Sequence, residues 1–208
     1  MGCNVRVIPN FVNLEEYRLD PAARHERLAP AGHRVITHIS NFREVKRVKD
    51  VIRIFARIRR AFPATLIMVG DGPDRGEAEQ EAQSLGVTES VRFLGRLDRV
   101  ASILQATDLF LLPSQSESFG LAALEAMAYS APTVANRAGG LPEVIEDGVS
   151  GILEPPGSVE AMGRRAVELL QEPGRYDAMR QAALTKAATF SADRIVPMYE
   201  ALYAEAVA

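Results

Sequence analysis

The sequence predicts an α/β fold: a doubly wound parallel sheet of about six strands, closed by three C-terminal helices. Two observations carry that expectation. Short apolar runs alternate with helical patterns through most of the 208 residues, which is the signature of a parallel sheet covered on both faces. Four of the five loops that follow the first five apolar runs contain glycine, as loops at the ligand-binding end of such a sheet do.

The expected strands are "RVITHIS" (34 to 40), "TLIMVG" (65 to 70), "VRFLG" (91 to 95), "LFLLP" (109 to 113), "PTVAN" (132 to 136) and "GILEP" (151 to 155). After the first strand, Val48, Val51, Ile52, Phe55, Ile58 and Phe62 recur at three- and four-residue steps with basic residues between them, so a helix with a solvated cationic face runs up to Pro63. An acidic helix is expected over 74 to 86, closed by Gly86, and a short one over 99 to 107. Three more follow at 158 to 172, 175 to 190 and 191 to 207, with Ser158 and Ser191 placed as N-caps and Pro197 placed to kink or delay the last. The first 30 residues show no sustained periodicity and read as a connector or edge segment, so the chain is expected to be a piece of something longer.

Composition excludes several classes. Hydrophobic residues make up 47% of the chain, enough for a sizeable core, and the formal charge of -3 gives no global nucleic-acid footprint. One cysteine, Cys3, cannot form an internal disulfide and suits a reducing cytoplasm. No stretch is long and apolar enough to span a bilayer, and the N-terminus lacks the order of a signal peptide, so a cytoplasmic protein without an integral membrane segment is expected. His25, His33 and His38 lack metal-ligand spacing, and no metal is expected; His38 reads as a packed strand residue. The dinucleotide and Walker glycine signatures are absent.

The chemistry concentrates in "SESFGLAALEAMAYSAP" (116 to 132). Ser118 is placed to cap a helix whose first turn contains Gly120, so the amides of Phe119, Gly120 and Leu121 are free to meet an anion. A helix end alone contributes only about 0.3–1 kcal/mol at an exposed site, so a diphosphate there needs a cation. Lys46 and Arg43, just after the first strand, are the obvious suppliers. Glu117 and Glu125, eight residues apart, would be repelled by phosphate unless each faces hydroxyls, which a hexose and a ribose offer on either side of a diphosphate. The plainer reading makes Glu125 a solvated helix residue. "VGDGP" (69 to 73) allows a tight turn with positive φ at Gly70 and Gly72, and "RAGGLPEV" offers a second amide-rich helix start; taken singly, each reads as an ordinary turn.

Together these segments resemble the C-terminal, donor-binding half of the family-4 retaining glycosyltransferases of the GT-B fold, over nearly the whole chain. "VGDGP", "VRFLGRL", "ATDLFLLPSQSESFGLAALEAMA" with its E-x7-E pair, and "AGGLPEVIEDGVSGIL" carry the resemblance. It implies a Rossmann-like donor domain over 31 to 190, a connector over 1 to 30, and a C-terminal helix over 191 to 208 that packs back toward an N-terminal domain. It implies catalytic roles for Glu117 on the transferred sugar and for Lys46 and Arg43 on the phosphates. Donor binding would fall to Asn41, Gly70, Asp71, Leu94, Gly95, Ser118, Phe119, Gly120, Leu121 and Glu125, with the ribose on Glu125 and the base near Leu94 and Gly95.

The implied partners are a nucleotide sugar, a small-molecule acceptor and the N-terminal domain, with no nucleic acid and no cofactor. Self-association is a further expectation, because apolar surface exposed without a partner domain promotes it. Many family members carry glycine-arginine where this chain has Ser40-Asn41. "HISNFREVKRVKDV" is similar instead to the bacillithiol-pathway branch, which implies UDP-N-acetylglucosamine as donor and L-malate as acceptor. The implied chemistry is transfer with retention and without a metal, and the isolated chain is expected to bind donor but turn over poorly. Other sugars and bases on the same scaffold, a stand-alone nucleotide-sugar-binding or regulatory module, and a receiver-like or flavin-binding domain are the rival readings.

Overall fold

The computed structural model describes residues 6–17 and 28–207. Cys3 and His25, with most of the expected connector, lie outside the described residues. Six strands form one sheet in the order β3-β2-β1-β4-β5-β6, every pair parallel. They are β1 (Arg34–Ile39), β2 (Ala64–Val69), β3 (Val91–Gly95), β4 (Leu109–Leu112), β5 (Thr133–Asn136) and β6 (Gly151–Glu154). Among the described residues eight α-helices accompany them: α1 (Val48–Ala61), α2 (Arg75–Ser84), α3 (Ala101–Gln105), α4 (Leu121–Ala128), α5 (Leu141–Val144), α6 (Val159–Gln171), α7 (Pro173–Ala188) and α8 (Ala192–Val207). The doubly wound class and the three C-terminal helices are as the periodicity predicts.

Both sheet faces are buried, which is why the central strands read as continuous apolar runs rather than alternating ones. On one face Ile36, Leu66, Leu109, Leu111 and Val134 pack with Val51, Ile52 and Phe55 of α1 and Met162 and Leu169 of α6. On the other, Phe110, Leu112 and Ala135 pack with Leu124 and Met127 of α4 and Val144 of α5. The cationic face of α1 is not simply solvated. Lys49, Arg53 and Arg57 pair with Glu77, Glu81 and Glu160 at 2.9, 2.8 and 2.6 Å, which clips α1 to its neighbours α2 and α6.

Several local expectations shift. Gly120, not Ser118, is the N-cap of α4, with φ of 101°, a value that favours glycine. Ser158 holds the N-cap position of α6 but its side chain caps nothing. α8 runs through Pro197 without delay: the helical ladder has already begun at Ile195, which donates to the Ser191 carbonyl at 3.1 Å, and the proline only omits the one bond its N–H would make. The described part of the leading segment is not a strand of the sheet: Val12 alone bridges Ser191, exchanging hydrogen bonds with Phe190 and Ala192 at 3.0 and 2.9 Å.

The sheet changes direction between β1 and β4. To one side lie β2 and β3, to the other β5 and β6, and the loops leaving the carboxyl ends of β1 and β4 face each other across this switch point.

Candidate functional site

A cavity of about 450 Å³ opens at that switch point. The loop after β1 contributes Ser40, Asn41 and Lys46, and the loop after β4 with the start of α4 contributes Glu117, Ser118, Phe119, Gly120, Leu121, Ala122 and Glu125. Eight predicted site residues therefore meet in one place. A larger hollow of about 600 Å³, between α2 and the edge strand β3, pairs no cation with a carboxylate.

The two loops are tied together by backbone and side chain. Gln115 donates its N–H to the carbonyl of Val45 at 2.8 Å, and one residue further on Lys46 Nζ donates to Glu117 Oε1 at 2.6 Å. Those two side chains are only 20% and 13% exposed, so salt screens their interaction less than a surface pair's. Leu124 is the first α4 residue whose N–H closes a helical turn, onto Gly120 at 3.0 Å. The N–H groups of Leu121, Ala122 and Ala123 thus stand outside the helical ladder, and Leu121 and Ala122 line the same cavity as Lys46.

Two other glycine-containing loops brace the site from behind. Gly140 donates to the carbonyl of Glu117 at 2.9 Å, and a Cβ at Gly139 would stand 1.8 Å from that oxygen. The helix that follows, α5, has four residues. This loop is a buttress behind Glu117. At Gly70, with φ of 122°, a Cβ would stand 1.8 Å from the carbonyl of Ser40, and Phe42 donates to Asp71 at 3.0 Å. Gly72 does not adopt positive φ; it permits the close approach of Phe42. The "GDGP" turn therefore sets the position of the β1 loop.

His38 lies fully buried beneath the cavity floor. Its Nδ1 is 2.8 Å from the carbonyl of Leu111 and its Nε2 is 2.7 Å from Ser40 Oγ. Burial pushes the imidazole down to about 4, against the opposing pull of its bond to Leu111, so the ring is neutral near pH 7. A carbonyl only accepts, so Nδ1 carries the proton and Nε2 accepts from the Ser40 hydroxyl. Ser40 then turns lone pairs, not a proton, toward other partners.

The remaining predicted residues stand apart. Arg43 is exposed and does not line the cavity. Gly70, Asp71, Leu94 and Gly95 sit one and two strands away from the switch point, where Gly70 donates to the Gly95 carbonyl at 2.8 Å. A neighbouring hollow of about 510 Å³, lined by Asp98, Arg99, Val100, Leu104 and Tyr129, shares Glu125 with the main cavity. Glu125 is thus a common wall, and an occupant passing it would head toward the end of β3, where Leu94 packs near Val69 and Ile103.

Asn10 also lines the cavity. Sequence reading missed it, because its segment lacks periodicity and nothing local shows that Val12 is held at the α7–α8 junction. Among the described residues no group of three or more His, Cys, Asp or Glu side chains is placed to hold a metal ion, and no helix is long and apolar enough to cross a membrane.

The sheet order 3-2-1-4-5-6 sets a cation and two carboxylates around a helix start at its switch point, and the chain that carries them belongs to the family "Glycosyl transferases group 1", which matches residues 20–186. Within it, the chain is similar to the N-acetyl-alpha-D-glucosaminyl L-malate synthase of Bacillus anthracis, 37% identical over 96% of this chain and 53% of that protein. It is 36% identical to a D-inositol 3-phosphate glycosyltransferase of Salinispora arenicola, over 92% of this chain and 45% of that one. The chain thus spans about half the length of these curated relatives. Among solved structures, Anabaena Alr3699/HepE in complex with UDP and glucose superposes with a TM-score of 0.85 at 27% identity, over 96% of this chain and 57% of that one.

Proposed function

We propose that residues 31–190 bind a nucleoside diphosphate sugar, most specifically UDP-N-acetylglucosamine, for transfer with retention to L-malate. Residues 6–17 and α8 would face a second, acceptor-binding domain. The observation that carries this reading is the meeting of Lys46, the free N–H groups of α4, and two carboxylates in one cavity at the switch point. The cation and the amides suit the diphosphate, and the carboxylates suit hydroxyls on its two flanks: Glu117 the sugar, Glu125 the ribose. The base extends past Glu125 toward Leu94, Gly95, Gly70 and Asp71.

Support for the particular donor and acceptor comes from the name of the Bacillus anthracis relative at 37% identity. Support for uridine comes from the UDP in the Anabaena complex. As the sugar leaves, negative charge grows on the diphosphate, and Lys46 with the α4 amides stabilises it without a metal. A leaving-group phosphate oxygen takes the acceptor's proton as the acceptor attacks from the same face. Calorimetry of the 208-residue chain with UDP and UDP-N-acetylglucosamine tests the reading. Binding of both is expected; a folded sample silent at about 1 mM of either ligand rejects it.

A further inference from the structure

The proposed function assigns Lys46 and Glu117 to different parts of one ligand, yet the two side chains serve each other at 2.6 Å. Among the described residues, the charged side chains lining the cavity are one cation, Lys46, and two carboxylates, Glu117 and Glu125. A diphosphate that takes Lys46 therefore deprives Glu117 of its cation and brings more negative charge beside it. In a partly buried place the repulsion is felt, because little water screens it. A sugar attached to the diphosphate changes the outcome: its hydroxyl and N–H groups donate to the displaced carboxylate and replace the partner it lost.

Resting on that reading of the site, we infer that Glu117 is a specificity residue, one that favours a diphosphate carrying a sugar over the bare diphosphate. Glu117 opposes any anion at Lys46, and only donors on an attached sugar offset the opposition. The same competition acts after transfer. With the sugar gone, the nucleoside diphosphate faces a carboxylate without hydroxyl partners, and the return of Glu117 to Lys46 helps expel it. The backbone geometry suits this, because the Glu117 carbonyl is fixed by Gly140 and packed against Gly139, so exchanging partners requires only side-chain rotation.

The test is a comparison of the wild type with Glu117→Gln, which keeps the shape and removes the charge, using inorganic pyrophosphate, UDP and UDP-N-acetylglucosamine as probes. The glutamine variant should bind pyrophosphate and UDP about fivefold more tightly, a gain of the size that a released ion pair allows. UDP-N-acetylglucosamine should gain nothing or weaken, so the preference for it over UDP falls by about fivefold or more. Glu117→Ala, run alongside with thermal melts of every sample, serves if the glutamine variant folds poorly and should also gain affinity for pyrophosphate. Unchanged or weaker UDP binding in a folded variant overturns the inference while leaving the donor-site reading intact. A wild type silent to all three probes removes that reading, and this inference with it.

Discussion

Gly139 lies so close to Glu117 that a Cβ on the glycine would stand 1.8 Å from the glutamate's carbonyl oxygen. The loop after β5 thereby holds the loop after β4, and with it the carboxylate that faces Lys46. Gly139→Ala must push the two backbones apart and also occupies a φ of 55° that side chains disfavour. A loss of about 2–4 kcal/mol in unfolding free energy is expected from denaturant titration, together with weaker UDP binding. Full stability and full affinity would contradict the buttress.

Lys46→Ala and Arg43→Ala separate a cation inside the cavity from one outside it. The lysine change should weaken UDP about tenfold or more while leaving uridine unaffected, since charge-assisted hydrogen bonds to phosphate are the ones removed. Arg43 is exposed and lines none of the cavity, so its loss should change UDP affinity less than about twofold. A large effect at Arg43 would show that its loop closes over the ligand.

Glu125 stands on α4 between the two hollows. Glu125→Ala keeps a good helix former at that position, so the fold should hold. Affinity for UDP should fall about tenfold while affinity for pyrophosphate stays level, because the proposed partner of Glu125 is the ribose and not the phosphates. Equal losses for both probes would place Glu125 elsewhere in the recognition.

His38 makes stability depend on pH. Its folded-state value of about 4 lies below the ordinary 6.5, so the unfolded chain binds the proton first. The contribution of the neutral ring is complete above pH 6.5 and drains away as the pH falls toward 4, by about 3 kcal/mol in all. Compared with His38→Gln, the wild type should lose its stability advantage across that window. An advantage that stays constant there would mean that the ring is not held neutral.

Much of this protein is legible in one dimension. The six strands were readable because a sheet buried on both faces demands unbroken apolar runs, and "LFLLP" and "TLIMVG" supply them. Glu117, Glu125 and Lys46 were readable as a group because loops at the carboxyl ends of parallel strands collect at one edge of the sheet, and the three do line one cavity there. The family follows from the same segments.

Other features depend on distant neighbours and so left no local trace. The glycines at 70 and 139 read as ordinary turn residues in sequence, but each is forced by a carbonyl from another loop, Ser40 in one case and Glu117 in the other. Asn10 enters the cavity only because Val12 is pinned beside Ser191, far along the chain. The proton on His38 is fixed by Leu111, a residue of a different strand, and that fixes how Ser40 presents its oxygen. The sequence by itself determined the fold class and the chemical types at the site, because periodicity and side-chain chemistry are local properties. The tertiary structure alone decided that Lys46 and Glu117 meet, because an ion pair between two loops exists only once β1 and β4 lie side by side.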